Sequence, residues 1–233
     1  MVLSYNASMI PEVEQIEERS AEERLRWAIE AFPGQVILTT SFGAQSAALL
    51  HLATRIQPDF PIVFIDTGYH FPETLDFAAT LKKTLNLNLS TYQPLLSPNE
   101  IEGTHGRLWE KGPHGLEKFH EIIRVEPLRR ALQELNPKVW AAGLRKSSSE
   151  SRSKLAVLSK NESRLKLLPI LDWTDRDIGN YLKKHSLPYH PLWEKGYISI
   201  GDQVTTKRLD EVSDASQLRH FGLKRECGIH ERV

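Results

Sequence analysis

Cysteine is almost absent from this sequence: Cys227 is the only one in 233 residues. One thiol cannot form an intrachain disulfide, and it cannot supply a metal site made of several thiolates. Long apolar runs are absent too, since none approaches the roughly 20 residues that a membrane-spanning helix needs. The N-terminus has no basic stretch followed by an apolar core. We therefore expect a cytoplasmic protein without a disulfide framework and without a membrane segment.

An excess of charge of either sign is also lacking, because 30 lysine and arginine residues balance 30 aspartate and glutamate residues. No overall field therefore attracts the molecule to nucleic acid or to a membrane surface. An anion-binding site has to be built locally. The length suffices for one substantial core, which predicts one main domain with an appendage.

What the chain does contain is an alternation of strand-like and helix-like segments. β-branched runs such as QVILTTS, PIVFIDT and KVWAAGL alternate with segments of helical periodicity such as AALLHLATRI and VEPLRRALQEL. Capping-box spacings at Ser20–Glu23 and Thr174–Asp177 mark two helix starts. The alternation predicts an α/β fold with a mostly parallel sheet and helices on both faces. After Pro191 the periodicity ends, which indicates turns and short helices.

Two polar turns that follow predicted strands are candidate ligand loops, because ligands bind beyond the carboxyl ends of parallel strands. SFGAQS precedes a helix and offers backbone N–H groups, hydroxyls and a helix N-terminus to an anion. It is neither a GxxxxGK[ST] nor a GxGxxG loop, and a tight turn without a ligand is the alternative. The turn after the next strand suits a ribose or an adenine edge, or is a simple turn. The candidate residues in the two turns are Ser41, Phe42, Gly43, Gln45, Ser46, Asp66, Thr67 and Gly68.

A basic loop follows the strand KVWAAGL and places Arg145, Lys146 and Arg152 among serines. Arginine forks bind phosphate or sulfonate oxygens through two parallel hydrogen bonds. A solvated surface loop is the alternative. Because few acidic residues compensate the charge, we favour an anion site.

Cys227 lies near the C-terminus between Lys224, Arg225 and His230, which we include among the candidate binding residues. Cations near a thiol lower its pKa, whereas Glu226 acts in the opposite direction. A buried structural cysteine is the alternative, but such cysteines rarely lie among charged residues, so we predict a reactive thiol. Metal ligation by Cys227 and His230 lacks further cysteine partners. Because there is no second cysteine, an adduct on Cys227 needs an external thiol donor for its release.

Together these segments resemble the thioredoxin-dependent phosphoadenylyl-sulfate reductases of assimilatory sulfate reduction. The resemblance covers nearly the whole chain and includes TTSFGAQSA, FIDTGYHFPETLDFA, LWEKGPHGLEKF, RVEPLRRAL, AGLRKSSSESR, PILDWT, LPYHPLWEKGYISIGD and KRECGIH. It implies an adenine-nucleotide α-hydrolase-like fold with a mobile C-terminal tail. We accordingly divide the chain into an N-terminal helical segment (1–33), an α/β nucleotide-binding domain (34–190) and a tail that carries the catalytic cysteine (191–233).

The resemblance also implies a mechanism. Cys227 attacks the sulfur of 3'-phosphoadenylyl sulfate, expels adenosine 3',5'-bisphosphate and keeps the sulfonate as a thiosulfonate. Reduced thioredoxin, or glutaredoxin, then releases sulfite, and the implied assembly is a homodimer. By motif position, SFGAQS is the pyrophosphate loop, the turn at Asp66 lies on the nucleoside side, and Arg145 belongs to a phosphate-binding segment. Lys224 and Arg225 hold the sulfonate.

Related reductases that prefer adenylyl sulfate bind an iron–sulfur cluster through two cysteine pairs. The corresponding positions in this chain hold Phe119 and His120, then Asp202 and Thr205. No cluster can form there, so the resemblance implies no bound cofactor and no metal, and it favours the 3'-phosphorylated substrate. An adenylyl-sulfate reductase without a cluster is the alternative within this class.

Two interpretations from other classes stay open. ATP pyrophosphatases of the same fold usually carry an SGGxDS loop, whose carboxylate helps to bind magnesium-ATP. Gln45 occupies that place here, and an amide lacks the charge that Mg²⁺ favours. A noncatalytic nucleotide-binding module would keep the loops and leave Cys227 without a role. Thiol labelling blocked by nucleotide, ATP cleavage, and ligand binding with an inert thiol distinguish the three classes.

Overall fold

The computed structural model describes residues 13–148, 152–160, 163–223 and 229. Within them, the α-helices are α1 (Val13–Glu17), α2 (Ala21–Ala31), α3 (Ala47–Ile56), α4 (Pro72–Thr84), α5 (Pro98–His105), α6 (Gly112–His120), α7 (Glu126–Leu135) and α8 (Asp175–Lys184). The strands are β1 (Val36–Thr40), β2 (Pro61–Ile65), β3 (Asn88–Tyr92), β4 (Val139–Ala142), β5 (Leu158–Lys160) and β6 (Leu165–Leu167). A π-helical turn, Glu121–Val125, joins α6 to α7.

The strands of the described residues form one sheet in the order β3-β2-β1-β4-β6-β5. Neighbouring strands are parallel except at the edge, where β5 runs antiparallel to β6. The predicted α/β fold with a mostly parallel sheet is confirmed, although the sequence pattern does not predict the short edge strand. Strands β1 to β3 build outward in one direction, and β4 then pairs with the other side of β1. Open α/β sheets bind ligands at such a reversal, beyond the carboxyl ends of the strands.

The strands separate two apolar layers, because successive side chains point to opposite faces of a sheet. On β2, Ile62 and Phe64 belong to the large layer that also contains residues of α2, α3, α4 and α8. Val63 and Ile65 point to the opposite face, which α7 covers. We name this smaller layer the α7 cluster, and it consists of Ile37, Val63, Ile65, Leu128, Ala131, Leu132 and Trp140.

Both predicted capping boxes form at helix N-termini. At α2, Oγ of Ser20 accepts from the backbone N–H of Glu23, and the Glu23 side chain accepts from the backbone of Ser20. Thr174 and Asp177 make the same pair of bonds at α8. Each box satisfies N–H groups that have no partner within the helix. None of the described helices is long and apolar enough to cross a lipid bilayer.

The chain after α8 crosses the carboxyl edge of the sheet as a series of turns. We name residues 190–223 the C-terminal cover. The backbone N–H of His190 donates to the carbonyl of Ala44 at 3.0 Å, and that of Gln203 donates to the carbonyl of Tyr69 at 2.8 Å. These bonds attach the cover to the loops that follow β1 and β2.

Candidate functional site

The loops that follow β2, β1 and β4 open side by side, because these strands are neighbours in the sheet. The reversal of strand order lies between β1 and β4. The loops 41–46 and 143–148 therefore border the same crevice, which the cover approaches from outside. A Cβ on Gly43 would lie 3.9 Å from the carbonyl oxygen of Ile200 in the cover.

The loop after β1 turns sharply at Phe42, whose φ is 46°. The Phe42 ring is fully buried and meets the ring of Phe64 edge to face, with 5.0 Å between centroids. The backbone N–H of Ser46 donates to the carbonyl of Gly43 at 3.1 Å, and α3 begins at the next residue. Among the described residues, the buried Oγ of Ser46 has no hydrogen-bond partner. The loop thus leads into a helix N-terminus, where backbone N–H groups favour an anion.

Arg145 joins the loop after β4 to the loop after β1. Its Nη2 donates to Oε1 of Gln45 at 2.7 Å and to Oδ1 of Asp175 at 2.8 Å. The Arg145 side chain is 12% exposed, whereas that of Asp175, at the start of α8, is 73% exposed. The guanidinium is thus fixed at the crevice by an amide oxygen and by a carboxylate that is largely exposed to solvent.

The loop after β2 is shaped by the carboxylate of Asp66. Its Oδ1 accepts from the backbone N–H of Gly68 at 3.1 Å, and its Oδ2 accepts from Nε2 of Gln93 at 2.8 Å. Gly68 has a φ of 76°, and a Cβ there would lie 2.9 Å from Cγ of Pro98. Both the backbone conformation and the close contact require glycine at this position.

A buried ion pair lies behind this loop. Asp202 of the cover is fully buried, its Oδ2 lies 2.7 Å from Nη2 of Arg124, and its Oδ1 accepts from the hydroxyl of Thr67 at 2.7 Å. Burial raises the pKa of the Asp202 carboxyl, but Arg124 and the Thr67 hydroxyl help to hold it well below its usual range. Arg124 belongs to the π-helical turn, a feature that recurs at functional sites. The charged carboxylate therefore ties the cover to the β2 loop and to the segment between α6 and α7.

His70 and His220 interact electrostatically with this ion pair, and His190 is a further buried histidine of the cover. Burial lowers the pKa of His70, lowers that of His190 to about 4 and lowers that of His220 to about 2. Nε2 of His190 lies 3.0 Å from Oγ1 of Thr74, and the rings of His220 and His120 have centroids 4.4 Å apart. These imidazoles with lowered pKa are neutral at neutral pH. In the part of the chain that the structure describes, no three His, Cys, Asp or Glu side chains form a group suited to a metal ion.

The structure places most of the predicted binding residues along the crevice, but not all of them. Phe42 and Thr67 are fully buried, so the role that the structure supports for them is to shape the loops rather than to touch a ligand. Arg152 is half-buried, and its carbonyl accepts from the backbone N–H of Leu155 at 3.1 Å. The residues with exposed or partly exposed surface in the crevice loops are Ser41, Gly43, Gln45, Ser46, Asp66, Gly68, Arg145 and Lys146. The candidates that lie outside the described residues are Lys224, Arg225, Cys227 and His230.

The sequence motifs do not reveal the role of Arg124 or of Asp202. Arg124 interrupts the apolar run IIRV, and a single cation in such a run signals a buried charge that needs a partner. Asp202 lies in a segment without periodicity, where no pattern predicts burial. Asp202 can therefore be identified as the partner of Arg124 only from the folded structure.

Comparison with known proteins agrees with the geometry. A family model described as the phosphoadenosine phosphosulfate reductase domain matches residues 35–208, which include the crevice loops and Asp202. A protein of Xylella fastidiosa (strain M12) named phosphoadenosine 5'-phosphosulfate reductase is 51% identical over 218 residues, which cover 94% of this chain and 92% of the relative.

Solved structures share the fold. The crystal structure of phosphoadenylyl-sulfate reductase from Candida auris, a phosphate complex, matches with a TM-score of 0.73 and 30% identity, and the match covers 84% of this chain and 94% of that chain. FMN adenylyltransferase from Candida glabrata, in complex with FAD and inorganic pyrophosphate, matches with a TM-score of 0.63 at 16% identity. That match covers 88% of this chain and 67% of the other, and it concerns the fold alone.

Proposed function

Because the chain belongs to the phosphoadenosine phosphosulfate reductase family, we propose that it reduces 3'-phosphoadenylyl sulfate to sulfite and adenosine 3',5'-bisphosphate in assimilatory sulfate reduction. The observation that carries the proposal is the meeting of the β1, β2 and β4 loops beneath a cover whose chain continues to Cys227. The loops offer a helix N-terminus and a fixed guanidinium to the phosphates. The chain beyond the cover supplies the one thiol.

The proposed reaction begins with attack by the Cys227 thiolate on the sulfonate sulfur. The bond between that sulfur and the bridging oxygen breaks, the electron pair leaves with adenosine 3',5'-bisphosphate, and a Cys–S–SO₃⁻ thiosulfonate forms. A thiolate of reduced thioredoxin then attacks Sγ of Cys227, which expels sulfite and leaves a mixed disulfide. The second thioredoxin thiol resolves this disulfide and regenerates the Cys227 thiolate. Two electrons thereby pass from the thioredoxin dithiol to sulfur.

In the proposed complex, the loop 41–46 and the N-terminus of α3 hold the phosphosulfate group, since helix N-termini favour phosphate oxygens. Arg145 exchanges its bond to Asp175 for bonds to a phosphate, which a guanidinium grips with two parallel N–H groups. The remaining proposed binding residues are Asp66, Gly68, Lys146, Arg152, Lys224, Arg225 and His230.

We propose thioredoxin, or glutaredoxin, as the donor because a chain with one cysteine cannot resolve its own thiosulfonate. The same cysteine count leaves no thiolates for an iron–sulfur cluster, so we propose an enzyme without a bound cofactor that acts on the 3'-phosphorylated substrate. Cytoplasmic location and a homodimeric state belong to the same proposal. The proposed division of the chain is an N-terminal helical segment (1–33), an α/β nucleotide-binding domain (34–190) and a tail that carries the catalytic cysteine (191–233).

Intact-protein mass spectrometry of the reduced enzyme tests this proposal. After incubation with 3'-phosphoadenylyl sulfate and no thioredoxin, we expect one SO₃ group on Cys227, which reduced thioredoxin discharges. Cys227→Ser should carry no adduct and should keep its affinity for adenosine 3',5'-bisphosphate. An adduct from adenylyl sulfate alone would overturn the substrate assignment, and no adduct from either nucleotide would overturn the reductase mechanism.

Incubation of the same enzyme with magnesium and ATP tests the alternative, an ATP pyrophosphatase. Magnesium-dependent release of pyrophosphate from ATP, without any thiol adduct, would favour it. We do not expect that activity, because the Gln45 amide oxygen is uncharged, whereas Mg²⁺ favours carboxylates. This oxygen also already accepts a hydrogen bond from Arg145.

A further inference from the structure

We infer that Arg24 is a positioning residue for Arg145, an inference that rests on the proposed function, in which Arg145 holds a phosphate. Arg24 lies in α2, and its side chain is only 1% exposed. The two arginines are connected by the residues between β6 and α8, 168–174, which we name the β6–α8 turn. Both side chains donate hydrogen bonds to backbone carbonyls of this turn.

The guanidinium of Arg24 uses its whole hydrogen-bonding capacity. Its Nη1 donates to the carbonyl of Pro169 at 2.8 Å and to Oδ1 of Asp172 at 2.6 Å. Its Nη2 donates to Oδ2 of Asp172 at 3.1 Å and to the carbonyl of Glu17 at 2.6 Å, and its Nε donates to the carbonyl of Ile16 at 3.2 Å. These bonds account for the five N–H groups of a guanidinium. The planar fork therefore fixes the β6–α8 turn at a defined place and direction relative to α1 and α2.

The same turn supplies acceptors that orient Arg145. The carbonyl of Trp173 accepts from Nη1 of Arg145 at 3.4 Å. Asp175, the first residue of α8, accepts through Oδ1 from Nη2 of Arg145 at 2.8 Å. The backbone N–H of Lys146 donates to the carbonyl of Leu171 at 2.8 Å. The turn and the start of α8 thus hold both the guanidinium and the backbone beside it.

Apolar packing alone does not set the direction of these acceptors. Three side chains of the turn, Leu168, Ile170 and Leu171, are buried in the large apolar layer. Such burial is non-directional, whereas the charge-assisted bonds of Arg24 require defined angles. Without these bonds, we expect the turn to stay buried but to shift, and a displacement of about 1 Å at a functional group can remove much of its effect.

Arg24 acts through Arg145 and not on the ligand itself. Its side chain is buried, and its N–H groups are occupied by acceptors of α1 and of the β6–α8 turn. The Arg145 side chain is 12% exposed and borders the crevice. Loss of Arg24 should therefore change nucleotide affinity only while Arg145 is present.

A double-mutant cycle on the affinity for adenosine 3',5'-bisphosphate, measured by isothermal titration calorimetry, tests this inference. Arg24→Met should raise the dissociation constant about tenfold, equivalent to about 1.4 kcal/mol. Arg145→Ala removes the proposed phosphate contact and should raise it at least as much. In the Arg145→Ala background, Arg24→Met should have an effect of less than about twofold, because no guanidinium is left to position.

Two controls separate positioning from a general loss of stability. Arg26→Met truncates an arginine of the same helix whose side chain is 50% exposed and paired with Glu22, and it should leave the dissociation constant unchanged. Leu81→Ala creates a cavity in the large apolar layer, away from the turn, and should lower stability without changing the dissociation constant.

A milder variant carries the test if Arg24→Met does not fold. Asp172→Ala removes two of the five bonds of Arg24 at a side chain that is 57% exposed. It should raise the dissociation constant about threefold in the unmodified background and by less than about 1.5-fold in the Arg145→Ala background.

The outcomes distinguish failure of this inference from failure of the proposed function. An unchanged dissociation constant in Arg24→Met, or in Asp172→Ala where it replaces that variant, would overturn the positioning role alone. The same holds for an equal increase with and without Arg145, and for an Arg145→Ala enzyme that binds as tightly as the unmodified one. If the unmodified enzyme neither binds the nucleotide nor forms the thiosulfonate, the proposed function fails, and the positioning role fails with it.

Discussion

The sheet and the C-terminal cover are held by different kinds of contact. The sheet packs its helices through apolar side chains such as Leu38, Phe60 and Leu81, each almost completely buried. The cover also packs Leu192 and Ile200 against Phe71, but it adds a buried ion pair between Asp202 and Arg124 and imidazoles with lowered pKa. Apolar burial is non-directional, whereas an ion pair out of water requires defined distances and is costly when one partner is lost.

This difference predicts which region of the molecule loses stability when the pH or a single charge changes. Apolar packing does not change with protonation, so the large layer of the sheet should respond to cavities but not to pH. The interface of the cover should respond to the removal of single charges and to the protonation of single imidazoles. The predictions below test this division.

The largest expected effect follows removal of the buried carboxylate. Asp202→Ala leaves the Arg124 guanidinium buried without its carboxylate, and loss of one partner of a buried pair costs about 3–5 kcal/mol. We expect a fall of about 4 kcal/mol in the free energy of unfolding, measured by urea denaturation. Asp210→Ala removes an exposed carboxylate of the same segment and should cost less than about 1 kcal/mol.

Replacement of both partners sharpens this result. Arg124→Met combined with Asp202→Leu removes both charges, and an apolar replacement of a buried pair is often close to neutral. The double variant should therefore recover most of the stability that Asp202→Ala loses. Equal losses in the single and the double variant would mean that packing, rather than an unpaired charge, holds the cover.

A substitution that creates a cavity in the large apolar layer tests the other side of the comparison. Leu81→Ala in α4 removes a fully buried side chain from the large layer, and such truncations cost about 2–5 kcal/mol. We expect a loss of about 3 kcal/mol by urea denaturation that is the same at pH 5 and pH 7. Leu75→Ala in the same helix truncates an exposed side chain and should change stability by less than about 1 kcal/mol. A strong dependence of the Leu81→Ala loss on pH would break the division between the two regions.

Protonation of His220 should weaken the cover as the pH falls. Burial and nearby Arg219 lower its pKa to about 2 in the folded chain, whereas an unfolded histidine has a pKa of about 6.5. Below about pH 6.5 the unfolded chain therefore binds a proton at this histidine, whereas the folded chain does not. The free energy of unfolding is consequently unaffected by His220 above that pH and declines below it. The decline is up to about 1.4 kcal/mol per pH unit for this residue.

His220→Asn tests that decline, because asparagine does not titrate here and tolerates the φ of 54° at this position. Urea denaturation between pH 6.5 and pH 4.5 should give a flatter pH dependence for this variant. His114→Asn makes the same substitution at a fully exposed side chain and should leave the pH dependence unchanged. Equal slopes in all three proteins would show that another group controls the acid sensitivity.

Sequence patterns could predict the sheet because its physical causes are local and repetitive. Alternation along PIVFI, helical periodicity in AALLHLATRI and the capping box at Ser20 each lie within one element. The crevice loops are also predictable, since they follow strands whose carboxyl ends must share one edge. The hydrogen bond between Gln45 and Arg145 could not be predicted from residue spacing, because the partners are 100 residues apart in the sequence.

The cover could not be predicted in the same way. Its segment has no periodicity, and its attachment depends on pairs that are distant in sequence, such as Thr67 and Asp202, which are 135 residues apart. A charged residue in a turn-rich sequence is normally exposed, so burial of Asp202 contradicts the usual expectation. It becomes favourable only because the π-helical turn supplies Arg124 at the same place.

The smallest effect should come from an exposed ion pair that joins the cover to α4. Nζ of Lys195 lies 3.0 Å from Oε1 of Glu73, and the Lys195 side chain is 60% exposed. Exposed pairs contribute about 0–1 kcal/mol and are screened by salt. Glu73→Gln should therefore lower the free energy of unfolding by less than about 1 kcal/mol, and the loss should shrink in 1 M NaCl, while that of Asp202→Ala persists. If the two losses shrink alike, the Asp202 pair is not shielded from solvent, and burial is not what distinguishes the attachment of the cover.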